Sequence, residues 1–210
     1  MQRTGANPLP GDLAPARHAY GCYVPRAPRN ELAAGIYHVT SRGNRRQAIF
    51  LDRRDHRRFL GVLEDIVVRS GWLLYAYCLM PNHFHLLLET RAPTLGLGMH
   101  GLNGTYAQWF NWRHDVDGHL FGDRYHSRRV ETDFHLLEST RYVVLNPVRA
   151  KLVAHPAQWE WSSYRATVGA CRAPAFLAVP ALLAHFGRAS YPARRTFRRF
   201  VYDAPARAAA

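Results

Sequence analysis

Lysine is almost missing from this chain. Of the 28 lysines and arginines among its 210 residues, Lys151 is the one lysine. Acidic residues are also scarce, 15 in all, which leaves a formal net charge of +13. An excess of that size points to a polyanionic partner, nucleic acid first and an anionic membrane surface second. Arginine brings planar, bidentate phosphate contacts and stacks on bases. Ala, Gly and Pro are abundant as well, and such a compositional bias accounts for most of the choice of arginine over lysine, but not for the net excess. Cysteine is limited to Cys22, Cys78 and Cys171, with no CxxC pair. That excludes a zinc knuckle or a disulfide scaffold and suits a reducing compartment. No apolar run reaches the ~18 residues of a membrane span, and no apolar leader opens the chain. The expectation is a soluble, cytoplasmic protein with no membrane partner.

Apolar residues make up 48% of the chain, enough for a globular core. The length allows one domain with extensions, or at most two small ones. Residues 1–30 are rich in Pro, Gly, Ala and Arg without hydrophobic period and read as a flexible basic arm. Residues 35–40 (GIYHVT) read as a strand leading into a polar turn. Residues 52–70 read as a helix, with Phe59, Leu60, Leu63, Ile66 and Val67 at three- and four-residue steps and Gly71 closing it. Residues 72–80 (WLLYAYCLM) and 83–89 (HFHLLLE) form a hairpin about the turn Pro81-Asn82. A second helix over 93–112 has an apolar face loosened by Gly96, Gly98, Gly101 and Gly104. A strand over 125–130 and a helix capped by Asp133 follow, the helix stopped or kinked at Asn146-Pro147. The order strand, helix, hairpin, helix, strand, helix gives an α+β layer fold. Beyond residue 155 come an aromatic-rich loop, Trp159 to Arg165, and two short helical stretches, the last carrying Arg194, Arg195, Arg198 and Arg199.

The sharpest local feature is Pro81-Asn82-His83-Phe84-His85. Strand residues two apart face one side, so His83 and His85 project together, a natural half of a metal site. Taken alone, the pair is as easily two polar residues on a solvated strand face. On the helix after Asp133, Tyr142 and Asn146 are four apart and share a face. A tyrosine hydroxyl can attack a phosphodiester, and an amide oxygen is a hard ligand for a divalent cation. His38, on the neighbouring strand, is close enough to approach such a cation. Glu89 is not, because four strand residues span ~13 Å.

The HxH strand followed by Tyr142-Val143-Val144-Leu145-Asn146-Pro147-Val148-Arg149 resembles the HUH single-tyrosine transposases (IS200-like transposases), in their REP-associated tyrosine transposase branch. Tyr37 to Asn44 (YHVTSRGN), Leu79 to Leu87 (LMPNHFHLL) and Trp161 to Arg165 (WSSYR) are similar to that branch too, so the likeness runs over about residues 33–170. The resemblance implies a ferredoxin-like or RRM-like antiparallel sheet with helices packed on one face, to which the helical stretches read beyond residue 155 add a C-terminal helical extension. The catalytic domain is expected over 31–155, with 156–210, whose last 40 or so residues the likeness does not reach, as an aromatic and Arg-rich extension. The resemblance further implies Mg²⁺ or Mn²⁺ held by His83, His85 and Asn146, and Tyr142 as nucleophile, giving a 5′-phosphotyrosine and a free 3′-hydroxyl. The implied substrate is single-stranded DNA folded as a hairpin of the REP type, and the implied state a monomer or homodimer. Arg42, Arg45, Arg46, Arg124, Arg128 and Arg129 are the arginines placed to bind its phosphates, with Tyr125 or Trp161 to stack bases. Tyr125 is a rival nucleophile by type, but lacks a polar partner one helical turn on. Two other readings keep part of this pattern: a catalytically silent DNA-hairpin-binding repressor, and an RNA-binding ferredoxin-like protein.

Overall fold

In the computed structural model, which describes residues 32–202, four strands make one antiparallel sheet. They are β1 (Gly35–Arg42), β2 (Leu73–Met80), β3 (His83–Thr90) and β4 (His126–Val130), in the order β2-β3-β1-β4. The basic arm expected over residues 1–30 lies outside the described residues. Between the strands run α1 (Arg53–Ser70), α2 (Leu95–His114) and, after β4, α3 (Asp133–Arg149). The α+β sheet expected from the element order is therefore present.

Alternation along β3 divides the sheet into two unlike faces. Phe84, Leu86 and Leu88 point to one side, where Phe84 meets Phe59 of α1 at 4.7 Å between ring centres and Phe59 meets Tyr106 of α2 at 5.1 Å. These side chains are all fully buried. His83 and His85 point to the other side, where α3 lies. The arrangement refines the expected one-faced packing: α1 and α2 take one face and α3 the other. Apolar Cys78 and Ala76 of β2 are also completely buried. A strand covered on both faces reads as a continuous apolar run, which is why residues 73–80 show no polar alternation.

The helices begin and end for local reasons. Asp52 caps α1 through a reciprocal box with Asp55, and Gly71 ends it in the left-handed region at φ 63°. Asp55 is completely buried and also accepts from Arg113 and from His114 (3.0 Å), which pins the end of α2 to the start of α1. In α2, Gly98 is a contact point rather than a weakness. A Cβ there would lie 2.2 Å from the Trp72 ring, whose Nε1 donates to Thr94 Oγ1 at 2.9 Å.

Two expectations about α3 are corrected. Its cap is Thr132, not Asp133: Thr132 Oγ1 accepts from the His135 amide at 3.1 Å. Of the two outcomes expected at Asn146-Pro147, a stop or a kink, the stop does not occur. Pro147 forfeits one backbone donor near the C-terminus, yet it is buried, and the Ala150 amide still donates to the Asn146 carbonyl at 2.9 Å. The helix continues to Arg149.

Residues beyond 155 seal the edge of β2. The Leu79 amide donates to Trp161 O (2.8 Å), Ser163 N to Tyr77 O (3.0 Å) and Ala178 N to Leu74 O (2.8 Å). A covered edge offers no template to another strand. The short α4 (Tyr164–Thr167), α5 (Val179–Ala184) and α6 (Ser190–Tyr202) follow, and Leu182, Phe197 and Val201 join the common core. No helix among the described residues is long and apolar enough to cross a membrane.

Candidate active site

The histidine face of the sheet is not filled by α3. Between β1, β3, β4 and α3 lies a cleft of about 960 Å³. The pairing register sets its floor: Arg42 opposite His83 and Thr40 opposite His85 on one side of β1, and His38 opposite Arg128 and Thr40 opposite His126 on the other. Strand partners point the same way, so one surface carries all of them.

His83 and His85 stand with ring centres 5.0 Å apart. His38 Nε2 lies 3.0 Å from His85 Nδ1, and His83 Nδ1 lies 2.7 Å from Asn82 Oδ1. Burial pushes His85 down to about 2, with His38, His83 and Arg42 adding charge repulsion in the same direction. Burial likewise holds His38 at about 4, helped by His135 and Arg128, and His83 at about 4, helped by Arg42. These shifts favour the uncharged form of all three rings at neutral pH, in which each keeps one N–H and one lone pair.

Tyr142 comes down from α3 onto this group. Its ring centre is 5.7 Å from those of both His38 and His85, and it is 40% exposed toward the cleft. The Arg149 guanidinium sits over its outer face at 4.9 Å. Arg149 reaches it because the helix runs on through Pro147: residues seven apart return to one face after two turns. Tyr125, the rival by residue type, is only 6% exposed and does not line the cleft.

Asn146 is placed differently from Tyr142. It does not line the cleft, and its Nδ2 donates to the Tyr142 carbonyl at 3.0 Å. No group of three His, Cys, Asp or Glu side chains among the described residues is arranged to hold a metal ion. The donor set nevertheless fits a divalent cation in one respect. His85 Nε2 is buried and has no hydrogen-bond partner among the described residues. Two imidazole nitrogens plus amide, water or phosphate oxygens form a reasonable set for Mg²⁺ or Mn²⁺.

The cleft is cationic. Arg42, Arg45, Arg46, Arg124, Arg128 and Arg149 line it, against Asp123 and Glu138. Strand alternation separates Arg129 from its neighbour Arg128: it does not line the cleft, and its guanidinium reaches the Ala34 carbonyl at 3.4 Å. Arg45 and Arg46 occupy left-handed backbone, φ 51° and 61°. Such strain persists only where surroundings hold it. Here the Gly43 amide donates to Asn82 O (2.9 Å), Asn44 N to Leu120 O (2.8 Å) and Asn82 Nδ2 to Arg46 O (2.9 Å). At Gly43 a Cβ would lie 2.2 Å from the Gln47 carbonyl, so the turn tolerates no side chain there.

Several cleft residues were not singled out from the sequence: His126, His135, Glu138, Ser139 and Arg149. The signal for three of them was there, since 135, 138, 139 and 142 follow the three- and four-residue steps of one helix face. Glu138 pairs with Arg141 at 3.0 Å, and the Arg141 guanidinium packs 3.7 Å above the Phe200 ring, so α6 supports the cleft wall. Trp161 is not free to stack a base. Its ring is stacked on His56 at 4.2 Å, with Arg53 over it at 5.5 Å. Glu89 is bound by the Tyr75 hydroxyl at 2.5 Å.

A family model described as "Transposase IS200 like" matches residues 32–146. Among solved structures, a REP-associated tyrosine transposase bound to a REP hairpin is similar with a TM-score of 0.56 at 14% identity, over 66% of this chain and 81% of that one. A candidate transposase from Deinococcus radiodurans R1 aligns with a TM-score of 0.40 at 20% identity, over 58% of this chain and 87% of that one. No curated protein matches the chain in sequence.

Proposed function

Because the chain belongs to the IS200-like transposase family, we propose that it is a single-stranded DNA endonuclease and strand transferase acting on hairpin DNA, with Tyr142 as nucleophile. The observation that carries this reading is the position of Tyr142. Its ring is 5.7 Å from two imidazoles, inside a cleft lined by six arginines.

Arg42, Arg45, Arg46, Arg124 and Arg128 hold the phosphates of the bound strand and set its path across the floor. Tyr142 Oη attacks the scissile phosphorus. The Oη–P bond forms as the P–O3′ bond breaks, the tyrosine proton is lost to solvent, and O3′ leaves as a hydroxyl after taking a proton. Arg149, already over the ring, offsets the charge that develops on the phosphoryl oxygens. The DNA is left as a 5′-phosphotyrosine, and attack by another 3′-hydroxyl reverses the step and joins strands. His83 and His85 would hold Mg²⁺ or Mn²⁺, with Asn146 as the third protein ligand, and the cation would supply Lewis-acid polarisation of the scissile phosphate. Both histidines and the tyrosine come from one chain, so a monomer contains all these parts. Arg129 has no part in this cleft.

The hairpin bound by the structurally similar transposase sets the substrate to try. Incubated with a labelled REP-type hairpin and Mn²⁺, the native protein yields a covalent protein–DNA band, and Tyr142→Phe yields none. A band that persists in Tyr142→Phe means another nucleophile. Tight hairpin binding with no band under any cation supports the silent repressor instead.

A further inference from the structure

We infer that Asn82 and His38 are positioning residues that fix both histidines in the Nδ1–H form, so that Nε2 of each presents its lone pair to one cation. The inference rests on the reading of His83 and His85 as metal ligands, and adds what makes them ligands.

A neutral imidazole has one N–H and one lone pair, and whichever nitrogen keeps the proton cannot bind metal. For His83 the choice follows from a chain of contacts that ends on a carbonyl. The Arg46 carbonyl can only accept, so the side-chain atom of Asn82 2.9 Å from it is the Nδ2 donor. The other side-chain atom of Asn82 is then Oδ1, an acceptor, 2.7 Å from His83 Nδ1. His83 must donate from Nδ1, which leaves Nε2 with the lone pair. The Asn82 backbone is tied as well, its carbonyl accepting from the Gly43 amide at 2.9 Å. The strained Arg45-Arg46 turn therefore holds the orientation of Asn82, and Asn82 holds the tautomer of His83.

For His85 the partner is itself a histidine. Nδ1 of His85 lies 3.0 Å from Nε2 of His38, and one of the two donates. If His38 donates, His85 carries its proton on Nε2, and that proton is buried with no acceptor, since His85 Nε2 has no partner among the described residues. Proteins leave a buried N–H without an acceptor more rarely than a buried acceptor without a donor. If His85 donates, its Nε2 is a bare lone pair, which a cation can take up. The second arrangement is the one compatible with ligation, and it assigns His38 as acceptor rather than ligand. Metal-bound imidazoles are commonly oriented through their other nitrogen, though more often by a carboxylate or carbonyl than by a second ring.

The direct test needs no substitution. In ¹⁵N-histidine-labelled, metal-free protein near neutral pH, long-range ¹H–¹⁵N spectra distinguish the two tautomers. The expected result is Nδ1–H for both His83 and His85, and an Nε2–H form of His85 overturns the assignment. The second test is Mn²⁺ affinity, read as free Mn²⁺ by electron paramagnetic resonance. His38→Leu is expected to weaken binding by about 10–100-fold. His38→Gln, whose side-chain oxygen can stand where Nε2 stood, is expected to restore most of it, and Asn82→Leu to weaken it in the same range. Mn²⁺ bound by His38→Leu as tightly as by the native protein overturns the positioning role. If His83→Ala and His85→Ala leave Mn²⁺ binding unchanged, it is the ligand assignment that fails, while the spectra still decide the tautomers.

Discussion

The two faces of β3 differ in what they satisfy. Phe84, Leu86 and Leu88 are completely buried against α1 and α2, with no polar atom on those side chains to accommodate. His83 and His85, one residue out of phase, carry three rings' worth of desolvation with His38, one unpartnered nitrogen and a strained turn beside them. The apolar face is built for stability, and the histidine face lowers stability in exchange for a pre-formed cluster. Natural proteins concentrate such local violations at sites of function.

Paired substitutions on the two faces test that contrast. Phe84→Ala opens a cavity between Phe59 and Phe121, and should cost roughly 3–5 kcal/mol, lowering Tm by about 2–4 °C for each kcal/mol. His85→Leu should change Tm little, because it removes a buried Nε2 without a partner but also takes from His38 Nε2 its hydrogen bond, while abolishing the protein–DNA adduct. Thermal melts of both variants beside an adduct assay decide the matter. A His85→Leu protein that melts far below the native one would mean that the histidine face is structural.

A smaller effect separates neighbours on β4. Arg128 lines the cleft and Arg129 lies across the strand at the Ala34 carbonyl. Arg128→Ala should weaken hairpin binding and reduce the slope of log affinity against log salt by about one. Arg129→Ala should leave that slope as it is. Equal losses in fluorescence anisotropy titrations would show that strand alternation does not sort the two.

The sequence carried the sheet and the histidine pair because both depend on short-range periodicity. Capping at Asp52 and Gly71 and alternation over 83–89 are local, and the strands and first helix fall within a few residues of expectation. What escaped depends on contacts between distant segments. Nothing near Pro147 says that the helix survives it, because the compensation is burial of the proline and bonds from Ala150 and Leu152. Arg149 was missed as a cleft residue for the same reason. Trp161 read as an exposed stacking platform because its partner, His56, is over 100 positions away in sequence. In the sequence His38 is a ligand candidate, and only its distance to His85 Nδ1 shows a hydrogen-bonded partner.

The smallest expected effect is on the pH dependence of stability. His38, His83 and His85 bind protons less readily folded than unfolded, with values of about 4, 4 and 2 against an ordinary 6.5. Between those limits the unfolded chain holds more protons, so stability rises with pH. Their contribution is complete above about 6.5 and is lost progressively as pH falls toward 4. Part of any such loss belongs to other groups, among them His56, which burial also pushes down. The difference between variants isolates the cluster. Tm of the native, metal-free protein should fall by several degrees more than that of His85→Leu on going from pH ~7.5 to ~4.5. Parallel melting curves for the two proteins across that range would mean that His85 titrates in the folded state as it does in the open chain, and that the histidine face is wetter than its burial implies.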